Sequence, residues 1–279
     1  MITLTWITND DAAPPLRAEH GLAFWIETPD GQILFDTGGS GAVLTHNLDS
    51  LDLRPENLNA VVLSHGHDDH TGGLGGILPQ LPAETPLYAH PTLFRKRYSR
   101  HEGVLESRTI PLSQAEVASR MDLRLDAAPR EVLPGIWTSG AITRRPHPEG
   151  SSAHHFIKSP EGKEEYKSDP YEDDFSLIIA CEDGLFLLCG CCHAGLLNTI
   201  EHVQRRWDEP LIGIAGGMHL GSASPDTIRQ TVTVLKAMGA LRHLWPGHCS
   251  GDAFQRALAQ AFGPPIYRPG QSGEKLTLT

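Results

Sequence analysis

The chain has 279 residues, 39% hydrophobic and 20% charged, with a formal net charge of −11. That length fits one large domain or two modest ones with a sizeable core. The negative balance argues against nucleic acid as a partner, but admits a phosphorylated small molecule wherever a site cation inverts the local charge.

Residues 22–28 are apolar and β-favouring, Pro29-Asp30-Gly31 is a turn, and residues 32–35 continue as a second strand, which together predict a hairpin. It ends in Asp36-Thr37-Gly38-Gly39, too glycine-rich for the interior of a strand or helix. Residues 59–64 predict a short buried strand, followed at once by a histidine cluster. Residues 141–174 are polar, rich in Pro, Lys and Glu, and lack periodicity. They are expected to form a loop-rich insertion in a single domain over residues 1–279, because structureless stretches beyond about 12–15 residues are usually functional or disordered. Strands are expected at 175–181 and 185–189, joined at Glu182-Asp183-Gly184. A helix begins near Pro225, with Ser224 as cap, Ile228, Val232, Leu235 and Met238 on one face, and Gly239 as stop. A strand at 241–244, a loop at Pro246-Gly247-His248 and a helix over Asp252–Phe262 complete an α/β pattern.

Four of the five cysteines (Cys181, Cys189, Cys191 and Cys192) lie close together. An odd number suits a reduced, cytoplasmic chain better than a disulfide framework. The start Met1–Trp6 lacks the pattern of a secretory leader, and no run of about 18 apolar residues is present to span a membrane. Nothing in the pattern gives an oligomeric state, and Trp25, Trp137 and Trp207 suit either a core or a subunit contact.

Fifteen histidines is the unusual count. The decisive segment is Ser64-His65-Gly66-His67-Asp68-Asp69-His70-Thr71-Gly72-Gly73, with three imidazoles and two carboxylates within six positions. Imidazole nitrogens and carboxylate oxygens suit zinc, iron or manganese. His65 and His67, two apart, can close on one ion, and Asp69-His70 can turn to a second. His193 and His248 each sit on an expected strand-to-helix loop, where α/β sheets place their sites.

His65-x-His67-x-Asp69-His70 resembles the signature of the metallo-β-lactamase superfamily, as do Phe35-Asp36-Thr37-Gly38 and Pro246-Gly247-His248. The resemblance implies a four-layer αββα sandwich holding two divalent metal ions. It places His65 and His67 on one ion and Asp69 and His70 on the other, with His193 and His248 as further ligands and Asp36 in support. Cys191 falls where members often place a bridging Asp, and is expected beside the site as a supporting buried cysteine. Ala18-Glu19-His20-Gly21-Leu22, Gly190-Cys191-Cys192-His193-Ala194-Gly195, Gly216-Gly217-Met218-His219-Leu220 and Gly247-His248-Cys249-Ser250-Gly251 narrow the likeness further. Together they resemble the dihydropterin-methyl-aminobenzene ribofuranosyl phosphate synthases. Ser139-Gly140-Ala141 departs from that subfamily's Thr-Gly-Glu, and Gly190-Cys191-Cys192-His193 from its Gly-Cys-Ser-His.

The expected activity is hydrolysis or transfer on a small, phosphorylated or pterin-like molecule through a metal-activated water. Asp69 or Asp68 is placed to accept a proton, and His219 to deliver one. Arg144, Arg145, His147, Lys158 and Lys163 of the insertion are expected to clamp an anionic substrate group, and one of His154 and His155 to reach the site. A regulatory binding protein is the alternative. A di-iron redox protein is a further one, against which stands His67 where such proteins carry Glu.

Overall fold

The computed structural model describes residues 1–159 and 166–279, so Lys163 lies outside the described residues. Two large sheets stack face to face. The first orders its strands Lys275–Leu278, Ile2–Thr8, Ala23–Thr28, Gly31–Phe35, Ala60–Val62, Thr85–Ala89 and Met121–Leu125. Its pairing is antiparallel as far as Gly31–Phe35 and parallel beyond it. The second runs His243–Gly247, Leu211–Gly217, Gly184–Cys189, Ser176–Cys181, Ile136–Thr138 and Glu131–Leu133, with its first three strands parallel.

Side chains alternate across these strands, as a period of two requires. Phe24 and Ile26 point into the layer between the sheets, where Trp6, Phe35, Phe186, Leu188 and Trp245 meet them. Ala23 and Trp25 point the other way, onto the helices Gly41–Ser50 and Leu74–Ile77. The helices Leu196–Gln204, Pro225–Ala237 and Asp252–Phe262 cover the far face of the second sheet through Ile200, Leu235, Phe254 and Leu258. The layers are therefore helix, sheet, sheet, helix.

The helix after Pro225 starts where expected: Ser224 Oγ accepts from the Thr227 N–H, and Gly239 follows the helix with φ +67°. Trp25 is fully buried. Within the loop-rich 141–174 segment lie two short strands that the sequence did not announce, Tyr166–Ser168 and His155–Lys158, which join Arg97–His101 and Val104–Ser107 in a small four-stranded sheet. This order is non-local, which is why no local periodicity announced it. No helix among the described residues is long and apolar enough to cross a membrane.

Candidate metal centre

Five loops leave the carboxyl ends of parallel strands at one edge of the sandwich and carry Asp36, the Ser64–His70 segment, Cys191 to His193, His219 and His248. Ligands collect at such edges because the loops from neighbouring parallel strands converge there. His67 is extended (φ −75°, ψ 147°), and Asp68–Thr71 then forms a single helical turn. Extended backbone puts His65 and His67 on one side, and the turn swings Asp69 and His70 to the other. Gly66 is required because a Cβ would stand 2.2 Å from the Leu93 carbonyl oxygen and 2.6 Å from Arg97 Nη1. Asp36, Tyr171, Cys192, His219 and His248 all hold positive φ, from 44° to 58°. Strain of that kind in residues other than glycine collects at functional sites.

Hydrogen bonds fix the orientation of three imidazoles. Asp36 Oδ1 accepts from the Ser64 N–H at 2.7 Å, and its Oδ2 accepts from Ser64 Oγ and His70 Nδ1, each at 2.7 Å. Because the Ser64 hydroxyl donates to the carboxylate, it must accept from His65 Nδ1, 2.9 Å away. His248 Nδ1 donates to Asp10 Oδ1 at 2.9 Å. In its neutral form each of the three rings is thereby left with an Nε2 lone pair.

Ring nitrogens crowd together here. His70 Nε2 and His248 Nε2 stand 3.2 Å apart, and His65 Nε2 lies 3.0 Å from His67 Nδ1. Two bare acceptors in contact repel unless a proton or a metal ion lies between them. Metal–nitrogen bonds of about 2.0–2.1 Å place the nitrogens of a tetrahedral site roughly 3.3–3.4 Å apart, close to what is seen. His67 Nε2 and both ring nitrogens of His193 are buried without a partner, a cost that an ion removes. The donor set fits a metal.

The ligand-type atoms fall into overlapping groups. His65, His67 and His193 form one. On the other side, Asp69 Oδ2 is 3.4 Å from His248 Nε2 and 3.9 Å from His70 Nε2. Cys191 belongs to groups on both sides, one with His65 and His70, one with His193 and His219, and one with His248 and Cys249. Its Sγ lies 3.2 Å from His70 Nε2, among the ligand nitrogens rather than behind them.

Burial holds His65, His67 and His193 neutral, well below the ordinary imidazole value, which is the state that binds metal. Burial opposes charge on His248 too, but Cys249, Asp10 and Asp69 outweigh it and raise the group. Burial likewise pushes the Cys191 thiol up. At Cys249 the same effect is overcome by the Cys191 hydrogen bond and by His248 and His219, which pull the thiol down. Burial and the neighbouring Asp69 raise the Asp68 carboxyl.

A cavity of about 270 Å³ opens onto the cluster, lined on one wall by His67, Asp68, Asp69, Cys191, His193, His219 and His248. The facing wall carries His101, Arg108 and His155 from the small sheet and its borders. His155 therefore reaches the cavity, whereas the exposed His154 stacks on His101 with ring centres 5.1 Å apart. Among the described residues, the cations expected to clamp a substrate there do not line this cavity. Arg144 pairs with Glu201, and Arg145 donates to the carbonyls of Ile142, Pro170 and Tyr171. His147 lies 3.8 Å from Glu201, and Lys158 is exposed on its strand. Local carboxylates and carbonyls claim the two arginines, and charge alone could not reveal that.

Residues with no assigned role also build the site. His20 Nδ1 lies 2.8 Å from Asp10, and its ring stacks on His248 at 4.6 Å. Tyr171 lies flat on His193, with centroids 4.3 Å apart and an interplanar angle of 7°. The buried Arg97 pairs with Asp169 and Asp173, and Asp173 Oδ2 accepts from the Gly66 N–H at 2.9 Å, tying the insertion to the histidine loop. Asp174 Oδ2 accepts from the Ala194 N–H at 2.8 Å; burial raises its pKa to about 6. Of these, His20 and Cys249 stood within quoted motif segments, whereas Asp10, Arg97 and Tyr171 carried no sequence signal.

Among curated proteins, the chain is 29% identical to a 7,8-dihydropterin-6-methyl-4-(beta-D-ribofuranosyl)-aminobenzene-5'-phosphate synthase of Methanocaldococcus jannaschii, over 89% of this chain and 86% of that protein. It is also 29% identical to an uncharacterised protein of the same organism, over 91% and 93% of the respective chains. The solved structure of a metal-dependent hydrolase of the beta-lactamase superfamily superposes with a TM-score of 0.84 at 22% identity, covering 100% of both chains. A diphosphatase from the PhnP family gives a TM-score of 0.58 at 13% identity, over 100% of this chain and 98% of its own. The model of the metallo-beta-lactamase superfamily matches residues 16–163, just over half of the sequence, and the chain belongs to that superfamily.

Proposed function

We propose that the protein is a dinuclear metal-dependent hydrolase or transferase acting on a small, phosphorylated or pterin-like molecule. The observation that carries this reading is the 3.2 Å approach of the Nε2 atoms of His70 and His248, each ring locked by a carboxylate on its other nitrogen, beside the unpartnered buried nitrogens of His67 and His193. In this reading His65, His67 and His193 hold one ion, Asp69, His70 and His248 the other, and Cys191 lies between them. Asp36 and Asp10 orient the ligand rings from behind. Imidazole, carboxylate and thiol donors favour zinc, with iron and manganese as alternatives. The substrate class follows the name of the Methanocaldococcus relative, which this chain matches over most of its length.

Bound divalent ions supply Lewis acidity, which makes water a nucleophile near neutral pH and stabilises a developing oxyanion. The chain's own residues move protons around that chemistry. Asp68 lines the cavity with its carboxyl made more basic by burial and by Asp69, which suits it to accept a proton. His219 faces the same cavity with Nδ1 buried and unpartnered, and its backbone N–H donates to Cys249 Sγ, so the ring is held where it can deliver a proton to a leaving group.

Elemental mass spectrometry of protein purified without added metal tests the proposal. The wild type is expected to carry about two equivalents, and an Asp69→Ala/His70→Ala variant one or fewer. A wild type that is metal-free and takes up neither zinc, iron nor manganese on reconstitution would overturn it and leave a binding role as the better reading.

A further inference from the structure

His155 differs from His65, His70 and His248 in which nitrogen carries its proton. Its Nδ1 lies 2.9 Å from the Tyr171 hydroxyl. That hydroxyl oxygen already accepts from the Ser152 N–H at 3.2 Å. The Tyr171 side chain is buried, so its O–H proton needs an acceptor, and His155 Nδ1 is the one within reach among the described residues. Nδ1 is therefore the acceptor, and the proton of the neutral ring sits on Nε2. His65, His70 and His248 have the opposite arrangement, with Nδ1 donating and Nε2 bare. Three rings thus offer lone pairs suited to a metal, and one offers an N–H.

The ring of His155 lines the cavity beside the ligand-type histidines, 4.8 Å from His67 and 5.7 Å from His193 between ring centres. Arg108 and His101 also line the cavity, and Arg108 is only partly engaged. Arg108 Nε donates to Ser99 Oγ at 2.9 Å and Nη2 to Glu106 at 2.7 Å, and Nη1 lies 3.7 Å from Asp68. His101 is stacked on His154. Nε2 of His155 makes no hydrogen bond among the described residues.

We infer that His155 is a substrate-binding residue whose Nε2–H donates to an acceptor oxygen of an oxyanionic group, phosphoryl or carboxylate, held between it and the ligand wall, with Tyr171 fixing the donor tautomer. This rests on the metal-centre reading of the same cavity. It also reassigns anion recognition from the insertion's cations to a neutral donor on the small sheet.

Two measurements test it. In metal-free protein, the ¹⁵N shifts of the His155 ring report the tautomer directly. Protonated Nε2 is expected in the wild type and a mixture of tautomers in Tyr171→Phe; protonated Nδ1 in the wild type would overturn the assignment. In zinc-loaded protein, calorimetric titration with inorganic phosphate is expected to show affinity about tenfold weaker in His155→Leu, the effect of one lost hydrogen bond. His155→Gln, whose amide keeps a donor, is expected to stay within about threefold of wild type. Unchanged phosphate affinity in His155→Leu, or no phosphate binding by the loaded wild type, would sink the inference. So would a loss of zinc in His155→Leu, because it would make the ring a metal ligand. A wild type that takes up no metal instead overturns the metal-centre proposal, and the tautomer measurement still decides the role of Tyr171.

Discussion

Around His70 and His248 the centre is buttressed by carboxylates, whereas around His65, His67 and His193 it is held mostly by burial and stacking. Asp36, Asp10 and Asp69 surround the first pair, and His248 is raised despite its burial. On the other side His65 leans on a serine hydroxyl and His193 on the face of Tyr171, and burial lowers all three rings. One half has charge close to its ligands and the other has neutral ligands in a dry wall. The difference teaches that two neighbouring groups of ligand-type side chains can be tuned separately by what stands behind them.

Removing the buttress should break this asymmetry most strongly. Asp36→Ala deprives His70 of its orienting carboxylate and is expected to weaken metal binding by about 10–100-fold in chelator competition, chiefly at the His70 and His248 position. Equal weakening at both positions would show that the halves are not independent, and the Ser64 link from Asp36 to His65 supplies a route for that.

The metal-free protein sharpens the comparison through pH. Burial lowers the folded-state pKa of His65, His67 and His193 below the ordinary 6.5, and takes His155 to about 4. Above pH 6.5 these rings are neutral folded or unfolded and cost nothing. As pH falls through 6.5 the unfolded chain takes up protons that the folded chain refuses, so stability declines. His248, raised in the fold, acts in the opposite sense but is outnumbered. The Tm of metal-free protein is expected to be lower at pH 5.5 than at pH 7.5, and zinc should widen the difference, because bound metal excludes protons from the ligand groups of the fold, the raised His248 included. A Tm that is flat or rises on acidification would mean that the carboxylate-backed half dominates.

The smallest effect is expected at the stacked ligand. Tyr171→Leu removes the ring lying on His193, a contact worth about 0.5–1.5 kcal/mol, and should weaken one metal position by up to about tenfold. Affinity at the other position should stay within twofold by the same chelator assay.

Much of the site was legible in the chain because its ligands sit in short segments. His65, His67, Asp69 and His70 fall within six positions, and an extended stretch followed by one helical turn divides them between two sides. His193 and His248 each follow an expected strand closely, so a reading of strands and loops already put them at one edge, whereas the strand Leu211–Gly217 before His219 was not read from the sequence. Cys191 was expected beside the site, but spacing cannot say whether a buried thiol points into a cluster or away from it. The opposite wall was not legible. His155, Arg108 and Tyr171 meet only because Arg97–His101 pairs with His155–Lys158 across more than fifty residues, and local periodicity carries no trace of such pairing.

The sequence by itself determined the α/β pattern and most of the candidate ligand residues, because strand alternation, helix caps and closely spaced imidazoles are local properties of the chain, while the αββα expectation came from the family resemblance of its motifs. Tertiary structure alone decided the rest. It chose which nitrogen of each ring carries the proton, since that depends on partners such as Asp10, Asp36 and Tyr171 that arrive from distant segments. It also took Arg144 and Arg145 away from the cavity, since a guanidinium goes to the carboxylate or carbonyls that the fold places beside it.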